Sequence, residues 1–261
     1  MIIQIYEIQN PGEAGEMISL GVDHIGSVLT GEREIKMPQL RETISAAAKG
    51  GAKTSLIPLI NDIDLISSAI DYYRPHIVHF CQSIFGANLQ WEPVCGRLMS
   101  MQATVKERFP QIDIMRSIPV PPPGAGRDLP VFEAASHFEP LTDYFLVDTI
   151  IMEGISVAGQ PESGYVGITG RICDWEIAAE LVNRSAIPVI LAGGLSPENV
   201  YDAVRAVRPA GVDSCTLTNA VDEDGALIRF KKDREKVARF VAEARRAERE
   251  VESSRFKDKN A

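Results

Sequence analysis

Short apolar runs alternate along the chain with longer stretches in which apolar residues recur every three or four positions. The runs have the length of β-strands, and the stretches have the period of helices with one buried face. We predict eight strands, over residues 2–6, 22–29, 52–59, 76–81, 112–120, 143–148, 187–191 and 211–216. We predict eight helices between and after them, over residues 13–20, 38–49, 63–73, 93–109, 129–138, 172–183, 197–206 and 230–248. Such regular alternation is typical of a parallel sheet covered by helices.

This arrangement predicts a single (β/α)8 TIM barrel over residues 1–249. A doubly wound open sheet is the alternative, but eight regular units and the glycine-rich loops after the sixth and seventh strands favour a closed barrel. No break in the pattern indicates a second domain. Residues 250–261 are charged and poor in large apolar residues, so we expect a disordered C-terminal tail there.

The chain has 261 residues, of which 45% are hydrophobic, enough to fill the core of one large domain. Its net charge of −9 disfavours nucleic acid and membranes as partners, because both attract positive surfaces. The first residues lack the segments of a targeting signal and no apolar run could span a membrane, so we expect a cytoplasmic protein. The four cysteines lack metal-ligand spacing, and neither metal nor cofactor is predicted. The sequence does not distinguish a monomer from a homodimer.

Two glycine-rich segments follow neighbouring predicted strands. Residues 164–171 come after the sixth strand, and residues 192–199 come after the seventh. In the second segment Ser196 is a suitable N-cap and Pro197 a suitable first helical residue, so free helix amides would face the glycines. Free backbone N–H groups favour an anion. We therefore predict a phosphate-binding cradle built from Gly167, Thr169, Gly170, Arg171, Gly193 and Gly194.

Residues 143–213 contain motifs that resemble phosphoribosylanthranilate isomerase, the barrel enzyme of tryptophan synthesis. The motifs are FLVD at 145–148, GITGRICDW at 167–175 and PVILAGGLSPENVYDAVRAVRPAGVD at 188–213. Weaker similarity covers most of the remaining chain. The resemblance implies a barrel that binds a phosphorylated small-molecule substrate and converts an aminoaldose phosphate into an aminoketose phosphate by an Amadori rearrangement. It does not by itself settle the function.

In that family an aspartate at the end of the sixth strand is the general acid that opens the sugar ring, and Asp148 has that place here. A carboxyl group at the mouth of a barrel can have its pKa raised by desolvation and so donate a proton near neutral pH. The alternative is that Asp148 only ends a strand or caps a turn.

The family's general base is a cysteine at the end of the first strand, and this chain departs from the family there. The corresponding stretch reads Gln4-Ile5-Tyr6-Glu7. A phenol releases its proton far less readily than a thiol at pH 7, which makes Tyr6 a poor base. Glu7 is the substitute that the sequence offers, although strand alternation sends Tyr6 and Glu7 to opposite sides. The alternative is that Tyr6 fills the barrel and Glu7 faces solvent.

Three further positions are candidates for ligand binding. The resemblance places Arg33 or Glu34 where the family has an arginine that holds the anthranilate carboxylate. Arg116, on the fifth strand, either points into the mouth or faces solvent, and His79 should face inward from the fourth strand. Because the base is replaced, two other functions stay open: a different reaction on another phosphorylated metabolite, and a non-catalytic ligand-binding descendant of the isomerase.

Overall fold

A computed structural model of the chain describes residues 1–85, 91–125, 129–151 and 164–258. Eight parallel strands form a closed barrel in which each strand pairs with the next and the eighth pairs with the first. The strands are β1 (Ile2–Ile5), β2 (His24–Leu29), β3 (Lys53–Pro58), β4 (Ile77–Phe80), β5 (Asp113–Val120), β6 (Tyr144–Thr149), β7 (Val189–Leu191) and β8 (Gly211–Ser214). Closure confirms the single (β/α)8 barrel and excludes the open sheet.

Helices follow the strands around the outside of the barrel. They are α1 (Pro11–Ser19), α2 (Pro38–Lys49), α3 (Ile63–Tyr73), α4 (Glu92–Arg108), α5 (Val131–Phe138), α6 (Trp175–Arg184), α7 (Val200–Val207) and α8 (Arg234–Asp258). Side-chain caps fix several of their first turns; Asp174, for example, accepts hydrogen bonds from the amides of Glu176 and Ile177. None of the described helices is long and apolar enough to cross a membrane.

Helix α7 begins three residues later than the sequence predicts. Residues 197–199 form a turn, and the helix starts at Val200. Ser196 still acts at this boundary, because its hydroxyl accepts from the amide of Glu198 at 3.2 Å and its carbonyl accepts from the amide of Val200 at 3.0 Å. The predicted cap is therefore in place, but it caps a turn that leads into the helix.

A hairpin precedes the last helix, where the sequence had predicted helix from Phe230. Strand β9 (Asn219–Val221) pairs antiparallel with β10 (Leu227–Lys232), and the turn between them places Gly225 at a φ of +83°. Helix α8 then runs to Asp258, ten residues beyond its predicted end at Glu248. The division between a barrel and a C-terminal tail at residue 250 stays a prediction.

The core has two layers. The outer layer packs the helices against the outward side chains of the strands. The inner layer fills the barrel with inward side chains, among them Ile77, Met115 and Ile190, none of which is exposed. This packing closes the barrel below and leaves space at the carboxyl ends of the strands, where loops position the polar groups.

Candidate active site

Two adjoining hollows lie at the carboxyl ends of the strands. The central hollow encloses about 580 Å³ at the ends of β1, β3, β4, β6 and β8. The rim hollow encloses about 290 Å³ between residues 168–170, 192–195 and 213–217. Asp148 and Asp213 line both hollows. A ligand that extends from one hollow to the other would therefore pass both carboxyl groups.

Residues 164–166, which lie between β6 and α6 in the chain, are bonded to residues 81–83 just after β4. The amide of Ser83 donates to the carbonyl of Gly164 at 2.7 Å, and the amide of Val166 donates to the carbonyl of Cys81 at 2.8 Å. Gln82 and Tyr165 form an antiparallel bridge between these bonds. Residues 165–168 consequently form part of the wall of the central hollow.

The predicted cradle is formed by two glycine turns that touch each other. Gly170, Gly193 and Gly194 all line the rim hollow and have φ angles of +62°, +82° and +59°. A Cβ atom on Gly194 would lie 2.6 Å from the carbonyl carbon of Arg171, so the close approach of the turns requires glycine there. The amide N–H groups of the three glycines donate no hydrogen bond within the described part of the chain. The rim hollow is therefore bordered by free donors, as an anion site requires.

The other predicted cradle residues differ in their placement. Thr169 lines the rim hollow, and its hydroxyl accepts from the amide of Arg171 at 3.1 Å. Gly167 lies against Asp148, where a Cβ would come within 2.3 Å of Oδ2. The side chain of Arg171 is exposed and does not line the rim hollow, whereas its carbonyl accepts from Oγ1 of Thr149 at 2.6 Å. The backbone of Arg171 thus contacts Thr149, and its guanidinium group lies outside the rim hollow.

Asp148 is the second-last residue of β6, and it lines both hollows. Oδ1 accepts a hydrogen bond from the amide of Thr149 at 2.7 Å. Burial raises the pKa of Asp148 to about 7, although this hydrogen bond opposes the rise. Both protonation states are populated near neutral pH, and the protonated carboxyl can donate a proton to an oxygen of a ligand.

Tyr6 lies inside the barrel in a network of buried polar side chains. Its hydroxyl lies 2.6 Å from Oγ of Ser55 and 2.8 Å from Nδ1 of His79, whose Nε2 lies 2.8 Å from Oγ of Ser117. Burial raises the pKa of Tyr6 well above its ordinary value and lowers that of His79 to about 3. At neutral pH the phenol stays protonated and the imidazole stays neutral, so the structure gives Tyr6 no feature that would make it a base.

Glu7 reaches the central hollow despite its position next to Tyr6. The φ of Glu7 is +64°, a left-handed conformation that turns the chain at the end of β1 and brings its carboxylate to the mouth. The carboxylate is buried, with Oε1 bonded to Nε of Arg229 at 2.8 Å and also to Nη2 of the same guanidinium. Oε2 lies 3.4 Å from Nδ2 of Asn219. Arg229 belongs to β10, the hairpin that the sequence interpretation missed.

Asp213 is a site residue that the sequence interpretation also missed. It stands in register with Gln4 on the neighbouring strand, whose Nε2 donates to Oδ1 at 3.1 Å. Its side chain is buried, and burial raises its pKa to about 8, with the charge of Asp148 acting in the same direction. An acidic residue at an inward position of the short apolar strand β8 was the signal that could have identified it.

The structure corrects the placement of two arginines. Arg116 was expected at the mouth or in solvent, but it is fully buried outside the barrel, with its guanidinium carbon 4.9 Å from the centre of the Phe138 ring. Its neighbours Met115 and Ser117 take the inward positions of β5, so alternation turns Arg116 outward. Arg33 is exposed on the short 3-10 helix over residues 32–34 and lines neither hollow.

Comparison with known proteins gives consistent similarities. The sequence profile of N-(5'-phosphoribosyl)anthranilate (PRA) isomerase matches residues 125–243. N-(5'-phosphoribosyl)anthranilate isomerase 2 of Methanosarcina mazei is 36% identical over 54% of this chain, an alignment that spans 53% of that relative's length. The isomerase of Haloferax volcanii is 27% identical over 94% of this chain and 93% of its own.

Solved structures show the same fold. A phosphoribosyl anthranilate isomerase in complex with reduced 1-(o-carboxyphenylamino)-1-deoxyribulose 5-phosphate superposes with a TM-score of 0.63. The match covers 94% of this chain and 99% of that one at 21% sequence identity. At this identity the likeness concerns the barrel and not the residues within it.

Proposed function

We propose that this chain is a member of the N-(5'-phosphoribosyl)anthranilate isomerase family and an aldose-ketose isomerase that rearranges phosphoribosylanthranilate. The observation that carries the proposal is the placement of Asp148 beside a hollow bordered by Gly170, Gly193 and Gly194, whose amides donate no hydrogen bond to any described residue. The related protein solved with a phosphorylated aminoketose analogue supports a ligand of the same class.

The two hollows suit the two ends of such a substrate. The phosphate group lies in the rim hollow, where it accepts hydrogen bonds from the glycine amides. The sugar passes Asp148, which protonates the ring oxygen and opens the ring. The aromatic ring enters the central hollow, whose wall is largely apolar and includes Val28, Leu59 and Tyr165.

The test is turnover of phosphoribosylanthranilate by the purified protein, with two variants at one glycine. A Cβ on Gly170 meets no atom closer than 3.8 Å, and its φ of +62° is a conformation that Asn and Asp tolerate. Gly170→Asp places a negative charge in the cradle, whereas Gly170→Asn adds a side chain of the same shape without charge. We expect kcat/KM to fall at least 100-fold more in the aspartate variant. Equal losses in both variants, or no turnover by the wild-type protein, would count against the proposal.

A second function is supported by the charges around the central hollow. Within the described part of the chain its lining contains the carboxyl groups of Glu7, Asp148 and Asp213 and no lysine or arginine. This wall disfavours an aromatic carboxylate and is compatible with a neutral group attached to the phosphosugar. A thermal-shift screen of phosphorylated metabolites distinguishes the two substrates, since the preferred ligand gives the larger stabilisation at equal concentration.

A further inference from the structure

The proposed rearrangement needs a group that removes a proton from the second carbon of the sugar. Several titratable groups of the central hollow are unsuited to this. Tyr6 holds its proton, and burial raises the pKa of the Cys81 thiol to about 12 and also raises that of the Cys215 thiol. His79 is neutral, but both of its ring nitrogens lie within hydrogen-bond distance of buried hydroxyl groups.

Glu7 carries a carboxylate but is committed to another contact. Its Oε1 receives two N–H groups of Arg229, and its Oε2 faces the amide of Asn219. Both oxygens of this carboxylate face N–H donors of the protein, so neither oxygen is free to approach a ligand. The structure therefore points away from Glu7 as the proton acceptor.

Asp213 and Asp148 share a geometry that suits proton transfer. Each has one oxygen held by a donor of the protein: Oδ1 of Asp148 by the amide of Thr149, and Oδ1 of Asp213 by Nε2 of Gln4. Among the described residues no hydrogen bond reaches the Oδ2 atom of either side chain. Both side chains line both hollows, so each offers a fixed carboxyl group with one free oxygen to the same ligand.

We propose that Asp213 is the second proton-transfer residue of the site, taking the proton from the second carbon of the sugar while Asp148 serves the ring oxygen. This assignment rests on the proposed function. The base of the family is a thiol on the first strand. Under this assignment the base is a carboxylate on β8, which pairs with one edge of β1 while β2 pairs with the other.

The proton balance closes with these two groups. Protonated Asp148 gives its proton to the ring oxygen as the bond from that oxygen to C1 breaks, and an iminium ion forms between C1 and nitrogen. The Asp213 carboxylate then takes the C2 proton, and the released electron pair forms the C1–C2 double bond while the iminium pair returns to nitrogen. In the last step protonated Asp213 gives its proton to C1, and Asp148 takes the proton from the C2 hydroxyl as the ketone forms. Both residues return to their starting states.

The charges around Asp213 are compatible with this role. Burial and Asp148 raise its pKa, whereas the hydrogen bond from Gln4 and the charge of Lys232 lower it, with the outcome at about 8. Asp148 titrates at about 7. Because the two carboxyl groups interact, they titrate as a pair, and one form of the singly protonated pair carries the proton on Asp148 and the charge on Asp213. The proposed steps start from that form.

Asp213→Asn is the primary test, because it keeps the shape and can keep a hydrogen bond to Gln4. We measure turnover of phosphoribosylanthranilate, the isotope effect with deuterium at C2, and binding of the reduced aminoketose phosphate. We expect kcat to fall about 10²- to 10⁴-fold, the usual contribution of a general base, with the dissociation constant changed less than about fivefold. A rise in the C2 isotope effect is expected because proton abstraction becomes rate-limiting. A kcat within threefold of wild type would overturn the assignment.

The matched variant tests the competing base. Glu7→Gln combined with Arg229→Gln removes both charges of the ion pair and leaves no uncompensated partner. We expect kcat to fall less in this double variant than in Asp213→Asn, and an equal or larger fall would overturn the inference in favour of Glu7. Failure of the proposed function gives a different pattern, in which the wild-type protein itself does not turn over phosphoribosylanthranilate.

Discussion

The carboxylate of Glu7 accepts a hydrogen bond from Nε of Arg229 at 2.8 Å, across 222 positions of the sequence. The contact joins the end of β1 to the β9–β10 hairpin. Glu7 is 1% exposed at its side chain and Arg229 is 33% exposed, so the charge of Glu7 depends on this one guanidinium for most of its compensation. The pair fixes the hairpin beside the barrel mouth.

Removing one partner of this pair should destabilise the protein more than removing both. Arg229→Gln leaves a buried carboxylate without its cation, and we expect a loss of about 1–3 kcal/mol, allowing for the partial exposure of the arginine. The double variant Glu7→Gln, Arg229→Gln should recover at least half of that loss. Urea denaturation of the four proteins of the cycle measures the coupling, and strictly additive effects would show that the two charges do not interact.

Stability should depend on pH through Asp148. The folded-state pKa of about 7 lies above the ordinary value of 3.8, so the folded protein binds this proton more tightly than the unfolded chain. The resulting stabilisation is complete below about pH 4 and is lost as the pH rises through 7. The difference in unfolding free energy between wild type and Asp148→Asn should therefore fall between pH 4 and 7 and level off above. A difference that rises over this range would contradict the burial of the carboxyl group.

Gly194→Ala should disturb the contact between the two glycine turns. The new Cβ would lie 2.6 Å from backbone carbon of Arg171 at a φ that alanine rarely adopts, and we expect a loss of about 1–3 kcal/mol together with weaker phosphate binding. Gly15→Ala is the control, because Gly15 is exposed in α1 and no atom lies within 4 Å of its Cβ position. That variant should gain about 0.5–1 kcal/mol. Thermal denaturation and calorimetric titration with inorganic phosphate measure both effects.

Tyr6→Phe should cost stability without abolishing turnover. The variant removes the partner of the buried Ser55 hydroxyl and of Nδ1 of His79, which should cost about 1–3 kcal/mol. Because the Tyr6 phenol keeps its proton, we expect kcat within about fivefold of wild type. Tyr201→Phe is the surface control, since its hydroxyl bonds to Glu250 on the exposed side of α8. A loss of turnover of 100-fold in Tyr6→Phe would show that the phenol takes part in the chemistry.

The sequence predicted the barrel and the contact between the glycine turns because both depend on local pattern. Apolar periodicity identified the eight strands and eight helices of the barrel, and Gly193 and Gly194 stand where a strand must turn sharply. The contact between Arg229 and Glu7 could not be predicted in this way. The two residues are 222 positions apart in the sequence, and the contact also needs the left-handed backbone of Glu7. Arg116 shows a related limit: its strand was predicted correctly, but its side of the strand was not assigned.

The most direct test of the account is a crystal structure of the protein with the reduced aminoketose phosphate. We predict that the phosphate oxygens lie within about 3.2 Å of the amide nitrogens of Gly170, Gly193 and Gly194, with the sugar beside the Oδ2 atoms of Asp148 and Asp213. A phosphate bound elsewhere on the barrel, or a sugar turned away from both carboxyl groups, would contradict it.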